Sequence, residues 1–141
     1  MRTRTAGRLG RIGAAMVMAG FLSSAVAGLA QTGRTGQPES VIVKYHARAG
    51  SESALAAVIA RHWETARRLN LVHNTPHLTI RGAEDGDRTY LAEIFTWRDA
   101  GIPDAAPAEI QAIWAEMNKL VESRGGRPGI ELAEVSIIAA N

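Results

Sequence analysis

The chain has 141 residues, of which 46% are hydrophobic and 21% charged, a composition that suits one globular domain with a modest core. It contains no cysteine, which excludes disulfides, a thiolate nucleophile and a cysteine-ligated metal. Four of the 16 Lys and Arg residues lie within the first 11 positions. From Gln31 onward, 12 Lys and Arg stand against 14 Asp and Glu, which gives a net charge of −2. A net charge of this sign gives no support for nucleic-acid binding.

Residues 1–30 predict a secretory signal peptide. A basic segment is followed by an uncharged run and then by small residues that offer cleavage sites, and we expect cleavage after Ala30. The protein would then be periplasmic or secreted from a bacterium, without stable membrane association. The alternative is an uncleaved membrane anchor, although the run is rich in Gly, Ala and Ser. Residues 31–40 are predicted to form a flexible linker, and residues 41–141 a single folded domain.

The folded part is predicted to begin with a strand and a long helix. Residues 41–46 alternate between two faces, and Tyr45 lies on the more apolar one. The helix over residues 51–70 carries an apolar stripe at spacings of three and four residues, formed by Leu55, Val58, Ile59, His62, Ala66 and Leu69. His62 therefore lies in the middle of a buried stripe, which is unusual for a titratable residue.

Two further strands are predicted to form a hairpin. Residues 77–81 form the second strand, residues 82–87 the turn and residues 89–97 the third strand. The third strand has the highest density of β-branched and aromatic residues in the chain. Both of its faces carry apolar side chains, so we expect both to be covered, and Glu93 lies on one of them.

A second helix and a last strand complete the pattern. The helix begins near Pro107 and has an apolar face formed by Ile110, Ile113, Trp114, Met117, Leu120 and Val121. Two glycines end this segment, and residues 130–138 form the last strand. The order β-α-β-β-α-β predicts a ferredoxin-like α+β fold, in which an antiparallel sheet carries both helices on one face.

The segment Phe95-Thr96-Trp97-Arg98-Asp99-Ala100 and this element order resemble the antibiotic-biosynthesis-monooxygenase-like family of the dimeric α/β-barrel superfamily. The resemblance covers residues 41–138. It implies a homodimer whose two sheets pack face to face, and ligand binding between the sheet and the helices. The family includes cofactor-independent quinone-forming monooxygenases, haem-degrading enzymes and proteins of unknown activity, and residues 70–77 and 109–117 also resemble small exported bacterial proteins without assigned function.

The chain departs from the family in two respects. Many members carry a histidine in or just before the second helix, whereas residues 100–117 contain none. Haem-degrading members use an asparagine on the first strand, which this strand also lacks. The resemblance therefore does not imply haem degradation.

His62 and Glu93 are the predicted catalytic residues. If the helices cover the face that carries Glu93, both side chains point into the same layer. A buried carboxylate that faces an imidazole can act as a general-base pair with shifted pKa values. The alternatives are a structural hydrogen bond between the two side chains, or a Glu93 that reaches solvent at a bulge.

Four aromatic side chains are predicted to line a ligand pocket between sheet and helices, namely Tyr45, Phe95, Trp97 and Trp114. Ordinary core packing is the alternative, above all for Trp114, which belongs to a regular apolar stripe. No metal site is expected, because His46 would lie at the opposite end of the sheet from His73 and His77.

The sequence is compatible with three functions. The chain could be a cofactor-independent monooxygenase that acts on a small aromatic molecule, a non-catalytic ligand-binding or stress-related protein, or a purely structural dimer without a cavity. The second face of the sheet carries Ile42, Tyr90, Ala92 and Ile94. Because an exposed apolar patch of this kind favours association, we predict homodimerisation through this open face, with no cofactor.

Overall fold

The computed structural model of the chain describes residues 35–138. The predicted signal peptide and residues 31–34 of the predicted linker lie outside this range, whereas the last two linker residues, Glu39 and Ser40, belong to the first strand. The elements follow in the order β1 (Glu39–His46), α1 (Glu52–Arg68), β2 (Leu78–Glu84), β3 (Arg88–Trp97), a short 3₁₀-helix (Pro103–Ala105), α2 (Ala108–Leu120) and β4 (Ile130–Glu134). Within residues 35–138, none of the helices has the length and hydrophobicity that a membrane crossing requires.

The four strands form one antiparallel sheet in the order β2-β3-β1-β4. Strand β3 pairs with both β1 and β2, and Val43 lies opposite Glu93 in the β1–β3 register. The two helices pack on one face of this sheet. The predicted ferredoxin-like α+β fold is therefore confirmed.

The element boundaries differ from the predictions by a few residues. Strand β2 extends to Glu84, because the hairpin turn takes up only residues 85–87, where Gly86 (φ 73°) and Asp87 (φ 61°) adopt the left-handed conformation. Strand β1 already begins at Glu39, and β4 is shorter than predicted.

The core lies between the sheet and the helices. The predicted stripe of α1 is buried except for Leu69, which follows the end of the helix and is half-buried. Leu55 and Ile59 have almost no exposure, and α2 contributes Ile110 and Met117. Phe95 of β3 belongs to the same core and packs with apolar residues of both helices. Helix periodicity thus determines which side chains meet the sheet, and the functional candidates of α1 and β3 lie in this layer.

Candidate functional site

A cavity of about 240 Å³ lies between the sheet and the helices. Its lining is apolar and aromatic except for one imidazole, and it consists of Val43, Tyr45, His62, Phe95, Trp97, Pro103, Trp114, Met117, Ile130 and Leu132. All four aromatic residues predicted to bind a ligand are among them. An engineered cavity of about 150 Å³ takes up benzene, so this one has room for a molecule of one or two rings.

The register of β3 brings the aromatic rings together. Alternate residues of a strand share a face, so Glu93, Phe95 and Trp97 all point toward the helices. The rings of Phe95 and Trp97 meet edge to face, with centroids 4.9 Å apart. The imidazole of His62 lies over this pair, 5.9 Å from Phe95 and 6.0 Å from Trp97.

The structure places the two predicted catalytic residues next to each other. Both side chains are buried, and the distance from His62 Nδ1 to Glu93 Oε2 is 3.6 Å. This is longer than an ordinary N–H···O hydrogen bond of about 2.7–3.2 Å, and no residue within 35–138 offers His62 Nδ1 a closer acceptor. The two side chains are therefore neighbours without an ordinary hydrogen bond between them, and their catalytic role stays a prediction.

Glu93 is surrounded by hydrogen-bond donors. Oε2 accepts from the hydroxyl of Tyr45 at 3.2 Å, and Oε1 accepts from Nε2 of His77 at 3.0 Å. Burial by itself raises the pKa of Glu93, but the adjacent imidazoles of His62 and His77 outweigh it and hold this pKa below its usual value. Glu93 is therefore an ionised carboxylate inside an apolar layer.

Tyr45 is the neutral partner of this carboxylate. Burial raises the pKa of Tyr45 well above its ordinary value, and the negative charge of Glu93 raises it further. The phenol therefore stays protonated, so that it can donate to Glu93.

The partner of the second ring nitrogen defines the tautomer of His62. Nε1 of Trp114 donates to Nε2 of His62 at 3.2 Å. Since an indole N–H can only donate, Nε2 accepts, and the imidazole is neutral with its proton on Nδ1. The Nδ1 proton then faces Glu93, and Nε2 is the basic atom of the ring.

Trp97 provides a free donor at the cavity. Its Nε1 is buried and has no acceptor among residues 35–138. Leaving a buried polar group unpaired costs about 1–3 kcal/mol. Because Trp97 lines the cavity, an oxygen atom of a bound molecule could satisfy this N–H.

Sequence reasoning missed His77 and Trp63 as parts of the site. The two rings stack in parallel, with centroids 3.7 Å apart and an angle of 6° between their planes. The sequence pattern by itself points to His77 only as a candidate metal ligand, although the hairpin register places it just before Leu78, which lies opposite Ile94. Working out that register would have placed His77 on the helix-facing side, near Glu93.

A second charged cluster lies on the open face of the sheet. The fully buried ring of His46 contacts Glu84 and, through Nε2, Glu131 Oε1 at 2.5 Å. Burial by itself raises the pKa of Glu84, but hydrogen bonds from Lys44, His46 and Arg124 lower it to about 2. This cluster connects β1, the hairpin and β4. In the described part of the chain, no three His, Asp or Glu side chains are arranged to hold a metal ion.

No protein-family model matches the chain, and no curated protein matches it significantly. Several solved structures do match in fold. SnoaB, a cofactor-independent oxygenase from Streptomyces nogalater, is 15% identical, with a TM-score of 0.53 over 74% of this chain and 96% of that protein. Rv0793 from Mycobacterium tuberculosis is 15% identical, with a TM-score of 0.54 over 74% and 98% of the two chains.

A dimeric ferredoxin-like protein of unknown function from Jannaschia sp. CCS1 is also similar. It is 15% identical, with a TM-score of 0.51 over 71% of this chain and 99% of that one. At such identities the similarity extends to the ferredoxin-like fold, whereas activity has to be argued from the site.

Proposed function

We propose that the chain binds a small aromatic molecule in the cavity between sheet and helices and oxidises it as a cofactor-independent monooxygenase. The observation that carries this proposal is the chemistry of the cavity. Its aromatic lining includes a neutral imidazole, His62, next to the ionised carboxylate of Glu93, and the unpaired N–H of Trp97. Support for the reaction type comes from the shared fold with SnoaB, a cofactor-independent oxygenase.

His62 is the base in this proposal. Its Nε2 accepts the proton of a phenolic hydroxyl in place of the N–H of Trp114, and Glu93 beside Nδ1 stabilises the imidazolium that forms. The N–H of Trp97 donates to an oxygen of the bound molecule and so stabilises the phenolate.

The phenolate is electron-rich enough to reduce O₂ without a cofactor. One oxygen atom enters the ring as a new carbonyl, and the other leaves as water. In the overall balance, the two hydrogens of that water equal the O–H hydrogen and the ring C–H hydrogen that the phenol loses. A phenol and O₂ thus yield a quinone and water, and atoms and electrons balance.

Binding and turnover can be tested separately with 1-naphthol. An anaerobic calorimetric titration measures binding, and an oxygen electrode combined with quinone absorbance measures turnover. We expect Trp97→Phe to weaken binding by about tenfold, because one hydrogen bond is lost. We expect His62→Gln to abolish turnover while naphthol still binds. Tyr90→Phe is the matched control, because it removes a polar hydrogen from an aromatic ring that lies on the open face of the sheet, outside the cavity lining.

The outcomes distinguish the three functions. Binding without oxygen uptake would contradict the monooxygenase and favour a non-catalytic ligand-binding protein. If neither phenol nor 1-naphthol binds or raises the melting temperature, the cavity proposal is wrong and a structural dimer is favoured.

We also propose a homodimer formed through the open sheet face. Leu78 is 52% exposed and Ile80 40% exposed on this face, and apolar side chains of this size favour association. Light scattering after size exclusion should give a dimer for the wild type and a monomer for Ile80→Lys. Thr79→Lys is the control, because Thr79 lies on the same strand but on its other face. A monomeric wild type would overturn the proposal.

Finally, we propose that the protein is exported. Support comes from the basic segment, the uncharged run and the small residues within residues 1–30. Mass spectrometry of the protein from the periplasm should find a chain that begins at Gln31. A chain that begins at Met1 in the membrane fraction would instead support the anchor.

A further inference from the structure

We infer that His77 carries the positive charge that balances the buried carboxylate of Glu93, and that it is the group from which a proton leaves the site to solvent. The first half of this inference depends only on the geometry of the site. The second half rests on the proposed function, because it concerns the proton of a bound phenol.

The buried carboxylate of Glu93 needs a counter-charge. Glu93 has no exposed surface, and an ionised carboxylate in an apolar layer is stable only next to a positive charge. Within residues 35–138, the ion-pair partners of Glu93 are His62 and His77, and neither Lys nor Arg contacts it. One of the two imidazoles must therefore carry the charge.

His62 is not the charged ring. Its Nε2 accepts a hydrogen bond from Trp114, so only Nδ1 carries a proton. The 3.6 Å separation between Nδ1 and Glu93 Oε2 is also longer than a charge-assisted hydrogen bond, for which about 2.7–2.9 Å is usual.

His77 has the geometry of the charged ring. Its Nε2 lies 3.0 Å from Glu93 Oε1, and 21% of its side chain is exposed, so that water can hydrate the cation. The ring lies flat on the indole of Trp63, whose negative π-face attracts a cation. Trp63 thus holds the imidazole in place and favours its protonated form.

The other charged groups around this centre come from the elements packed against it. Strand β1 contributes Tyr45, which is protonated and neutral. Helix α1 contributes Arg67, whose guanidinium lies 6.0 Å from the ring of Trp63 and is exposed to solvent. Helix α2 contributes Trp114, which carries no charge. Screening by water weakens the repulsion between Arg67 and a charged His77.

The arrangement couples the two histidines through one carboxylate. When His62 Nε2 accepts the proton of a bound phenol, Glu93 has a cation on both sides. His77 then releases its Nδ1 proton to water. It retains its Nε2 proton and continues to donate it to Glu93 as a hydrogen bond. One proton leaves the phenol and one enters the solvent, while Glu93 stays ionised throughout.

The charge assignment can be tested without any ligand. Nitrogen chemical shifts of the protein labelled with ¹⁵N-histidine report the protonation of each ring, and His62→Gln and His77→Gln assign the signals. At pH 7 we expect both nitrogens of His77 to be protonated and His62 to be the neutral Nδ1–H tautomer. In Glu93→Gln, His77 should become neutral at the same pH. A neutral His77 or a charged His62 in the wild type would overturn the inference.

Proton release tests the second half. When 1-naphthol binds in weakly buffered solution at pH 7, an indicator dye should report about one proton released per molecule bound. His77→Gln keeps a hydrogen-bond donor for Glu93 but cannot lose a proton. The number of protons that this variant releases on binding naphthol should therefore fall to near zero. Equal release by both proteins would refute the role of His77 as proton exit. If naphthol does not bind, both the proposed function and the role of His77 as proton exit are wrong. The nitrogen chemical shifts would still show whether His77 carries the charge that balances Glu93.

Discussion

Replacing Glu84 with Gln should remove a stabilisation that depends on pH. The carboxylate contacts Lys44 Nζ at 2.6 Å, Arg124 Nη1 at 3.2 Å and the ring of His46. Burial by itself raises the pKa of Glu84, but these hydrogen bonds outweigh it and lower the pKa from 4.5 to about 2. One pKa unit corresponds to about 1.4 kcal/mol, so this shift corresponds to at most about 3 kcal/mol of stability at neutral pH, because water screens part of the interaction.

The stabilisation by Glu84 is lost on the acidic side, because its pKa is lowered. The pKa of Glu84 is lower in the folded protein than in the unfolded chain, so the stabilisation is complete above about pH 5 and is lost as the pH falls toward 2. By pH 3, more than half of it should be gone. Glu84→Gln cannot titrate, so its difference in unfolding free energy from the wild type should shrink over this range.

Urea unfolding, followed by tryptophan fluorescence at one protein concentration, measures this difference between about pH 5.5 and 3. Glu116→Gln is the matched control, because Glu116 forms an exposed ion pair with Arg61 that we expect to contribute less than about 1 kcal/mol. A difference between wild type and Glu84→Gln that stays constant over this pH range would refute the reasoning.

Two further substitutions test the packing. Gly82→Ala should destabilise the protein by about 1–3 kcal/mol, because a Cβ at this position would overlap the ring of Tyr90. Calorimetry measures this loss for Gly82→Ala alone and combined with Tyr90→Ala, and most of the penalty should disappear in the double variant. Tyr45→Phe removes the hydroxyl that donates to Glu93 and should lower the unfolding free energy by about 1–2 kcal/mol in urea; equal stability would contradict a direct Tyr45–Glu93 hydrogen bond.

The two halves of the candidate site were predictable to different degrees. His62 could be placed on the buried face of α1 because helical residues three and four apart share a face. The face of Glu93 followed from the two-residue alternation of a strand. These local periodicities were sufficient to bring His62 and Glu93 into one layer.

Other contacts depend on how distant segments meet. His77 lies beside Glu93 because of the hairpin register, and that register depends on a turn of three residues that composition does not specify. His46 contacts Glu84 and Glu131, which are 38 and 85 positions away in the chain. No local pattern connects residues so far apart.

By itself, the sequence determined the order of the elements, the face on which each side chain lies and hence the ferredoxin-like fold, because these depend on the periodicity of consecutive residues. Only the tertiary structure decided that a cavity remains among Tyr45, Trp97 and Trp114, and that Glu93 lies between two histidines. The physical reason is that a cavity is the space left after side chains from separate elements have packed, and its volume depends on their sizes and positions together. A buried charge likewise acquires its partners only when strands and helices meet.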